Sequence, residues 1–236
     1  RLSGFRQLRI WSAGCATGEE PYSLAMLLRE LIPDISQWAI TLLGSDINAS
    51  FLDHARAGLY GNRSFRGETP EWIQPRWFRL ESGKYRIDQN IRDMVMFRML
   101  NLVSDAFPTP EAFMANMDVI LCRNVTIYFD ATTTRQVVTK FHRCLNTDGW
   151  LVVGHSEPNS EIYRDFENRN LQNTVVYQKR IPPPPVAVEP VIKAPPKPVN
   201  KPVRKAAKKP VDPVMTPDVR AALTPVHVPV PVKEME

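Results

Sequence analysis

The apolar positions of this chain fall into short runs of two periods. Residues 8–11 (LRIW) have the branched and aromatic character of a buried strand. The chain then breaks into small residues from Ser12 to Gly18 and turns helical over 21–31, with Leu24, Leu27, Leu28 and Leu31 at helical spacing. Residues 38–43 (WAITLL) predict a second strand that ends in Gly44, Ser45 and Asp46, and residues 47–60 a second helix with Asn48 as its N-cap. The stretch 61–93 interrupts this alternation with Trp72, Trp77, Phe78 and many charges. Two strand-like pieces, KYRID and MVMFRM, flank Gln89 and Asn90 and predict an inserted helix and hairpin on the rim of the sheet. The second piece also leads to Asn101, at the end of a third sheet strand. Residues 117–122 (MDVILC) are an almost continuous apolar run, the mark of a strand covered on both faces. Asp130 caps a helix over 131–144 whose Val137, Val138, Phe141 and Leu145 face inward, and 149–154 (GWLVVG) is another buried strand. The last strand, 174–179 (TVVYQK), is expected to close the sheet. Alternating β and α segments predict an α/β fold, a mostly parallel sheet with an antiparallel edge strand.

The chemistry gathers where predicted strands end. The turn after the first strand carries Gly14 and Gly18, so backbone can be approached without a Cβ in the way. Phosphate-binding loops want G-x-G-x-x-G or G-x-x-x-x-G-K-[ST]; here Glu19 and Glu20 follow, and they would repel a polyphosphate. A nucleoside whose tail bears an ammonium or sulfonium suits this loop, and S-adenosylmethionine has both. The bland alternative is that the two acids decorate a helix start, where each contributes about 0.3–1 kcal/mol against the macrodipole. Asp46, at the tip of the second strand, is placed to accept from both hydroxyls of a ribose. It could also cap the next helix, although Asn48 serves that purpose. The strand 117–122 delivers Arg123, Asn124 and, one turn later, Tyr128 to the same edge. Arg123 is either a ligand for an anionic group or a structural partner of a carboxylate such as Glu20.

Composition narrows the classes. The formal net charge is +5, yet residues 181–236 hold nine Lys and Arg against five Asp and Glu, so the first 180 residues are nearly neutral and give no basic face for nucleic acid. Most of the 22 prolines lie in that same stretch, which reads as a Pro and Lys rich disordered linker or tail. Its cluster Arg204, Lys205, Lys208 and Lys209 suits a solvated tether better than an anionic lipid surface. Cys15, Cys122 and Cys144 lack C-x-x-C spacing, which argues against a disulfide framework or zinc site and for a reducing, cytoplasmic setting. The four histidines have no metal-ligand spacing. No apolar run approaches the roughly 20 residues of a membrane-spanning helix.

Five blocks in order, WSAGCATGEEPYSLAMLL, GSDINASFLDHARAGLY, MFRMLNL, DVILCRNVTIYFD and LNTDGWLVVGHSEP, resemble the chemotaxis receptor glutamate O-methyltransferases of the CheR family over about residues 8–177. The resemblance implies a class I S-adenosylmethionine-dependent methyltransferase fold over 1–180, with a small β-subdomain inserted at 61–93. It implies S-adenosylmethionine as cofactor and the cytoplasmic helices of methyl-accepting chemoreceptors as partners, reached by a monomer that is peripheral to the membrane through the receptor only. Carried onto this sequence, Gly14 lies in the cofactor loop, Glu20 faces the methionine part, Asp46 the ribose, and Asn101 with Leu102 the adenosine side. Cys122 and Arg123 lie along the cofactor, and Arg123 and Tyr128 border the methyl-transfer site. The family also has an N-terminal helical domain, expected to be missing from this piece. The turn at Ser82 and Gly83 is short for the version of the family that holds a receptor's terminal peptide. Aromatic residues with Arg63, Arg66, Arg76 and Arg79 in the insertion suggest a docking face or ordinary surface packing. Thr126 is polar where an apolar residue is expected.

Overall fold

The structure, a computed structural model, describes residues 6–65, 69–108, 114–171 and 174–180. The chain divides into two units, Arg1–Val186 and Ala187–Glu236, and the second, with the expected tail over 181–236, lies outside the described residues. In chain order the described elements are β1 (Gln7–Ala13), α1 (Glu19–Leu31), β2 (Ala39–Asp46), α2 (Ala49–Ala57), β3 (Leu59–Tyr60), α3 (Ile73–Trp77), β4 (Phe78–Glu81), β5 (Lys84–Ile87), α4 (Gln89–Arg92), β6 (Val95–Met99), β7 (Met117–Cys122), α5 (Ala131–Cys144), β8 (Leu145–Val153), β9 (Phe166–Leu171) and β10 (Thr174–Lys179).

Seven strands form the main sheet in the order β6-β2-β1-β7-β8-β10-β9. The first five are parallel to their neighbours, and β10 runs antiparallel to both β8 and β9. The apolar runs follow from burial on both faces. Trp11, Leu43, Ile120 and Leu151 pack towards Val137 and Phe141 of α5, whereas Ile10, Leu42 and Leu121 pack towards Tyr22 and Ala25 of α1 and Leu52 of α2. Trp11 anchors the first face. It is fully buried, donates its indole N–H to Ser45 Oγ at 2.9 Å, and meets Phe107 and Phe141 edge-on at 5.4 and 5.2 Å. Full burial of each such side chain is worth about 1.5–3 kcal/mol.

The chain steps from β1 outward through β2 to β6 and then returns to the other side of β1 for β7 and β8. The carboxyl ends of β1 and β7 therefore flank the topological switch point, where ligands of open α/β sheets bind.

Three expectations need correction. TVVYQK does not close the sheet: β9 lies outside it, unrecognised because Phe166 is its one buried residue in a polar run, FENRNL. KYRID does not pair with MVMFRM. Instead β5 pairs with β4 around Ser82 and Gly83, and with β3, which begins before residue 61; MVMFRM supplies β6 of the main sheet. The buried stripe of α1 is Tyr22, Ala25, Met26 and Leu28, whereas Leu27 and Leu31 are exposed. Tyr22 sets this rotation by reaching across to donate its hydroxyl to Ala55 O at 2.9 Å. Of the two alternatives for the arginines of the insertion, Arg76 takes surface packing: it pairs with Glu30 of α1 at 2.7 Å and lies over the Trp77 ring; Arg66 is outside the described residues.

The three-stranded subdomain packs by aromatic edges, Phe65 against Phe78 and Tyr85 at 4.8 and 5.1 Å, and Tyr60 against Phe78 at 6.3 Å. Tyr60 also donates its hydroxyl to Thr17 O, so the insertion is fastened to the glycine loop.

Candidate functional site

After β1 the chain turns through Gly14 (φ 78°), Ala16 (φ 46°) and Gly18 (φ 92°) before α1 begins. The N–H groups of Gly14 and Cys15 donate to Ser45 O, which seats the loop on the end of β2. Asp46 then closes the corner: Oδ2 accepts from Ala16 N and Oδ1 from Asn48 N, both at 2.9 Å. Each carboxylate oxygen retains capacity for another donor. Asn48 is the N-cap of α2, accepting from Ser50 N and Phe51 N, so Asp46 is not spent on capping that helix.

The two acids at the start of α1 diverge. Glu19 accepts from Thr17 Oγ1 at 2.6 Å and from Ser64 Oγ of the insertion at 3.1 Å. Glu20 accepts from Ser12 Oγ at 2.8 Å and pairs with Arg123 Nη1 at 3.2 Å, which is the structural partnership the sequence left open. The pair spans the switch point from α1 to the end of β7. Arg123 remains about half exposed, and Tyr128, in a short 3-10 helix over Thr126–Tyr128, is 81% exposed.

Asn101 follows β6, and its Oδ1 accepts from Val103 N and Ser104 N. The same turn is gripped from α5 by Lys140, whose ammonium donates to Leu102 O, Val103 O and Asp105 O at 2.8–3.0 Å and lies over the Phe107 ring. Leu102 and Cys122 turn their side chains into the core on the α5 side, leaving only backbone at the strand ends. Burial pushes the Cys122 thiol up, and it pushes Cys15, beside Asp46, up to about 12, so neither is a nucleophile near neutral pH.

Reading the sequence missed three features. Ile47 directly follows Asp46, and Met99 is the register partner of Asp46 on β6; both are exposed apolar side chains at the sheet edge. Their signal was an apolar residue just past, or at the last position of, a strand. The third is Glu157, read only as part of HSEP. It is 8% exposed and accepts from Asn124 N and Gly154 N on Oε2 at 2.8 and 2.6 Å, and from Val125 N, Thr126 N and Thr126 Oγ1 on Oε1 at 3.0, 2.8 and 2.7 Å. Burial alone would raise its carboxyl, but the bonds from Thr126, Asn124 and Gly154 outweigh that and hold it below its ordinary value. Thr126 is polar because its hydroxyl serves this carboxylate.

The ends of β1 and β2, with carboxylates at Glu20 and Asp46 and exposed apolar Ile47 and Met99 at the sheet edge, fit a nucleoside with a cationic tail. The absence of a lysine in the glycine loop fits no polyphosphate.

Residues 1–175 match the family described as CheR methyltransferase, SAM binding domain. The chain is similar to the chemotaxis protein methyltransferase of Escherichia coli strain K12, 38% identical over 174 residues, which cover 72% of this chain and 58% of that one. It is also similar to the chemotaxis protein methyltransferase of Borreliella burgdorferi, 37% identical over 153 residues, covering 64% and 52%. It thus spans little more than half the length of these relatives. Among solved structures, a TehB-like SAM-dependent methyltransferase from Corynebacterium glutamicum aligns with a TM-score of 0.45 at 16% identity, over 74% of this chain and 82% of that one. Since the matched region begins before β1 and ends within β10, the chain belongs to the CheR methyltransferase family and carries its S-adenosylmethionine-binding domain.

Proposed function

We propose that the protein transfers a methyl group from S-adenosylmethionine to glutamate side chains on the cytoplasmic helices of chemoreceptors. The observation that carries this reading is the gathering of Glu20, Asp46 and Arg123 at the strand ends, with Arg123 half exposed and Tyr128 exposed in the turn that follows it. When bound, S-adenosylmethionine supplies a sulfonium methyl that a carboxylate oxygen attacks in line, giving a methyl ester and S-adenosylhomocysteine.

In this reading Asp46 accepts the ribose hydroxyls and Glu20 faces the cationic methionine end. Gly14 lies in the cofactor loop, where its missing Cβ leaves room for Val125, and Asn101 with Leu102 borders the adenosine. Cys122 contributes backbone along the crevice. Arg123 holds the incoming carboxylate, and Tyr128 shapes the pocket around it. No general base is required, because an acceptor glutamate with a pKa of about 4.3 is already ionised near neutrality. Alignment is the protein's main contribution, and it can be worth about 7–11 kcal/mol.

The relatives named above are chemotaxis protein methyltransferases, which supports this acceptor class. Among the described residues no helix is long and apolar enough to cross a membrane; we place the reaction in the cytoplasm, on receptors that the protein meets as a monomer. Incubation with radiolabelled S-adenosylmethionine and receptor-containing membranes should give base-labile label on the receptor. Label that survives base would exclude a methyl ester.

A further inference from the structure

The turn that carries Arg123 and Tyr128 is not held by either of them. Arg123 is the first residue after β7, Asn124 adopts a left-handed backbone (φ 59°), and the 3-10 helix over Thr126–Tyr128 starts two residues later. Three successive N–H groups, those of Asn124, Val125 and Thr126, point at one carboxylate, which belongs to Glu157 beyond the end of the neighbouring strand β8. Consecutive N–H groups wrapped in this way form a concavity that suits an anion. The fourth and fifth donors, Thr126 Oγ1 and Gly154 N, complete the shell. Gly154 has no room for a side chain: a Cβ there would lie 2.5 Å from Glu157 Oε2 and 3.1 Å from Asn124 N.

The chemistry demands an ionised carboxylate. Ionised Glu accepts only, so all five bonds can be made at once. An amide in its place would turn an NH₂ towards either the Asn124 and Gly154 donors or the Val125 and Thr126 donors. The left-handed conformation at Asn124 costs about 1 kcal/mol or more and persists only where surrounding contacts impose it.

We propose that Glu157 is a positioning residue for methyl transfer: by collecting the N–H groups of residues 124–126 it fixes the backbone between Arg123 and Tyr128, and so sets where both side chains meet the acceptor carboxylate. It touches neither substrate nor cofactor. This inference rests on the function proposed above, and the experiment separates the two.

The test is a cycle of Glu157→Gln, Arg123→Ala and the double variant, read as kcat on receptor-containing membranes and as S-adenosylmethionine Kd by calorimetry. Glu157→Gln should lower kcat by about 100-fold, the scale of a displacement near 1 Å. Its Kd should change by much less than kcat, because the Asp46 corner makes no bond to Glu157 and the two loops meet through Val125 and Gly14, and adding Arg123→Ala should cost less than about threefold further in kcat, the non-additivity of groups that act as a unit. A folded Glu157→Gln with unchanged kcat, or losses that multiply in the double variant, would overturn the proposal. Thr126→Val removes one of the five donors and guards against a Glu157 variant that does not fold. It should lower kcat about three- to tenfold with less effect on Kd, on the scale of one ordinary hydrogen bond; unchanged kcat there overturns the proposal as well. Failure of wild-type protein to label receptors at all would instead refute the proposed function.

Discussion

Val125 closes over Gly14 so tightly that a Cβ on the glycine would lie 2.3 Å from Val125 Cγ2. The loop after β1 and the loop after β7 are therefore in contact at the switch point, and Gly14 is held at φ 78° besides. Gly14→Ala should destabilise the protein by about 2–3 kcal/mol, combining overpacking with left-handed strain. A lowered urea midpoint at unchanged slope would show it. Val125→Ala in the same chain should return part of the loss, because it removes the methyl group but not the strain.

Asp46 serves two backbone donors at once. Asp46→Asn keeps the shape and loses the charge, and one end of the amide must face a donor. Its S-adenosylmethionine affinity should fall about 10- to 100-fold, the scale of charge-assisted hydrogen bonds to a ribose. Calorimetry reads this directly, and an unchanged Kd would remove Asp46 from the ribose.

Arg123→Ala should separate stability from catalysis. The Arg123 and Glu20 pair is partly exposed, and such pairs contribute about 0–1 kcal/mol, so the thermal midpoint should scarcely move. The rate on receptor membranes should fall about 100-fold or more. Equal rates with cofactor affinity intact would take Arg123 out of the reaction.

Acid should weaken the fold, and two buried or partly buried groups illustrate how. Glu157 is held below its ordinary 4.5, so its contribution is complete above that value and is lost as the pH falls through its folded value. His142 is lowered from 6.5 by burial and by Lys179, against Asp165, so the fold favours the neutral ring; this stability is present above 6.5 and is lost as the pH falls through its folded value. Urea midpoints measured from pH 7 to 4 should decline, and His142→Gln should flatten the upper part of that decline.

The cysteines should be inert in the folded protein. Cys15, Cys122 and Cys144 are all buried, and burial raises each thiol, Cys15 and Cys144 to about 12. Iodoacetamide at pH 8 should label them only after denaturation. Rapid labelling of Cys15 would show that the glycine loop opens.

The strands that carry the site were legible because both faces of the sheet are covered, which writes them as unbroken apolar runs ending in a charged or polar residue. MDVILC followed by Arg123 and WAITLL followed shortly by Asp46 are such cases. β9 was illegible because an edge strand needs only one anchor, here Phe166. The rotation of α1 was misread because leucine spacing marks a stripe without saying which stripe a tyrosine and an alanine will bury. Glu157 escaped because its ligands are backbone N–H groups, which have no letter in a sequence; the odd Thr126 was their one visible trace.

Lys140 grips three carbonyls of one turn, those of Leu102, Val103 and Asp105. The turn after Asn101 is fastened to a helix that is itself anchored in the core by Val137 and Phe141, so it inherits the stiffness of that helix. Lys140→Met should therefore loosen this turn and raise the exchange rate of the Val103 and Ser104 amides, which the Asn101 side chain holds.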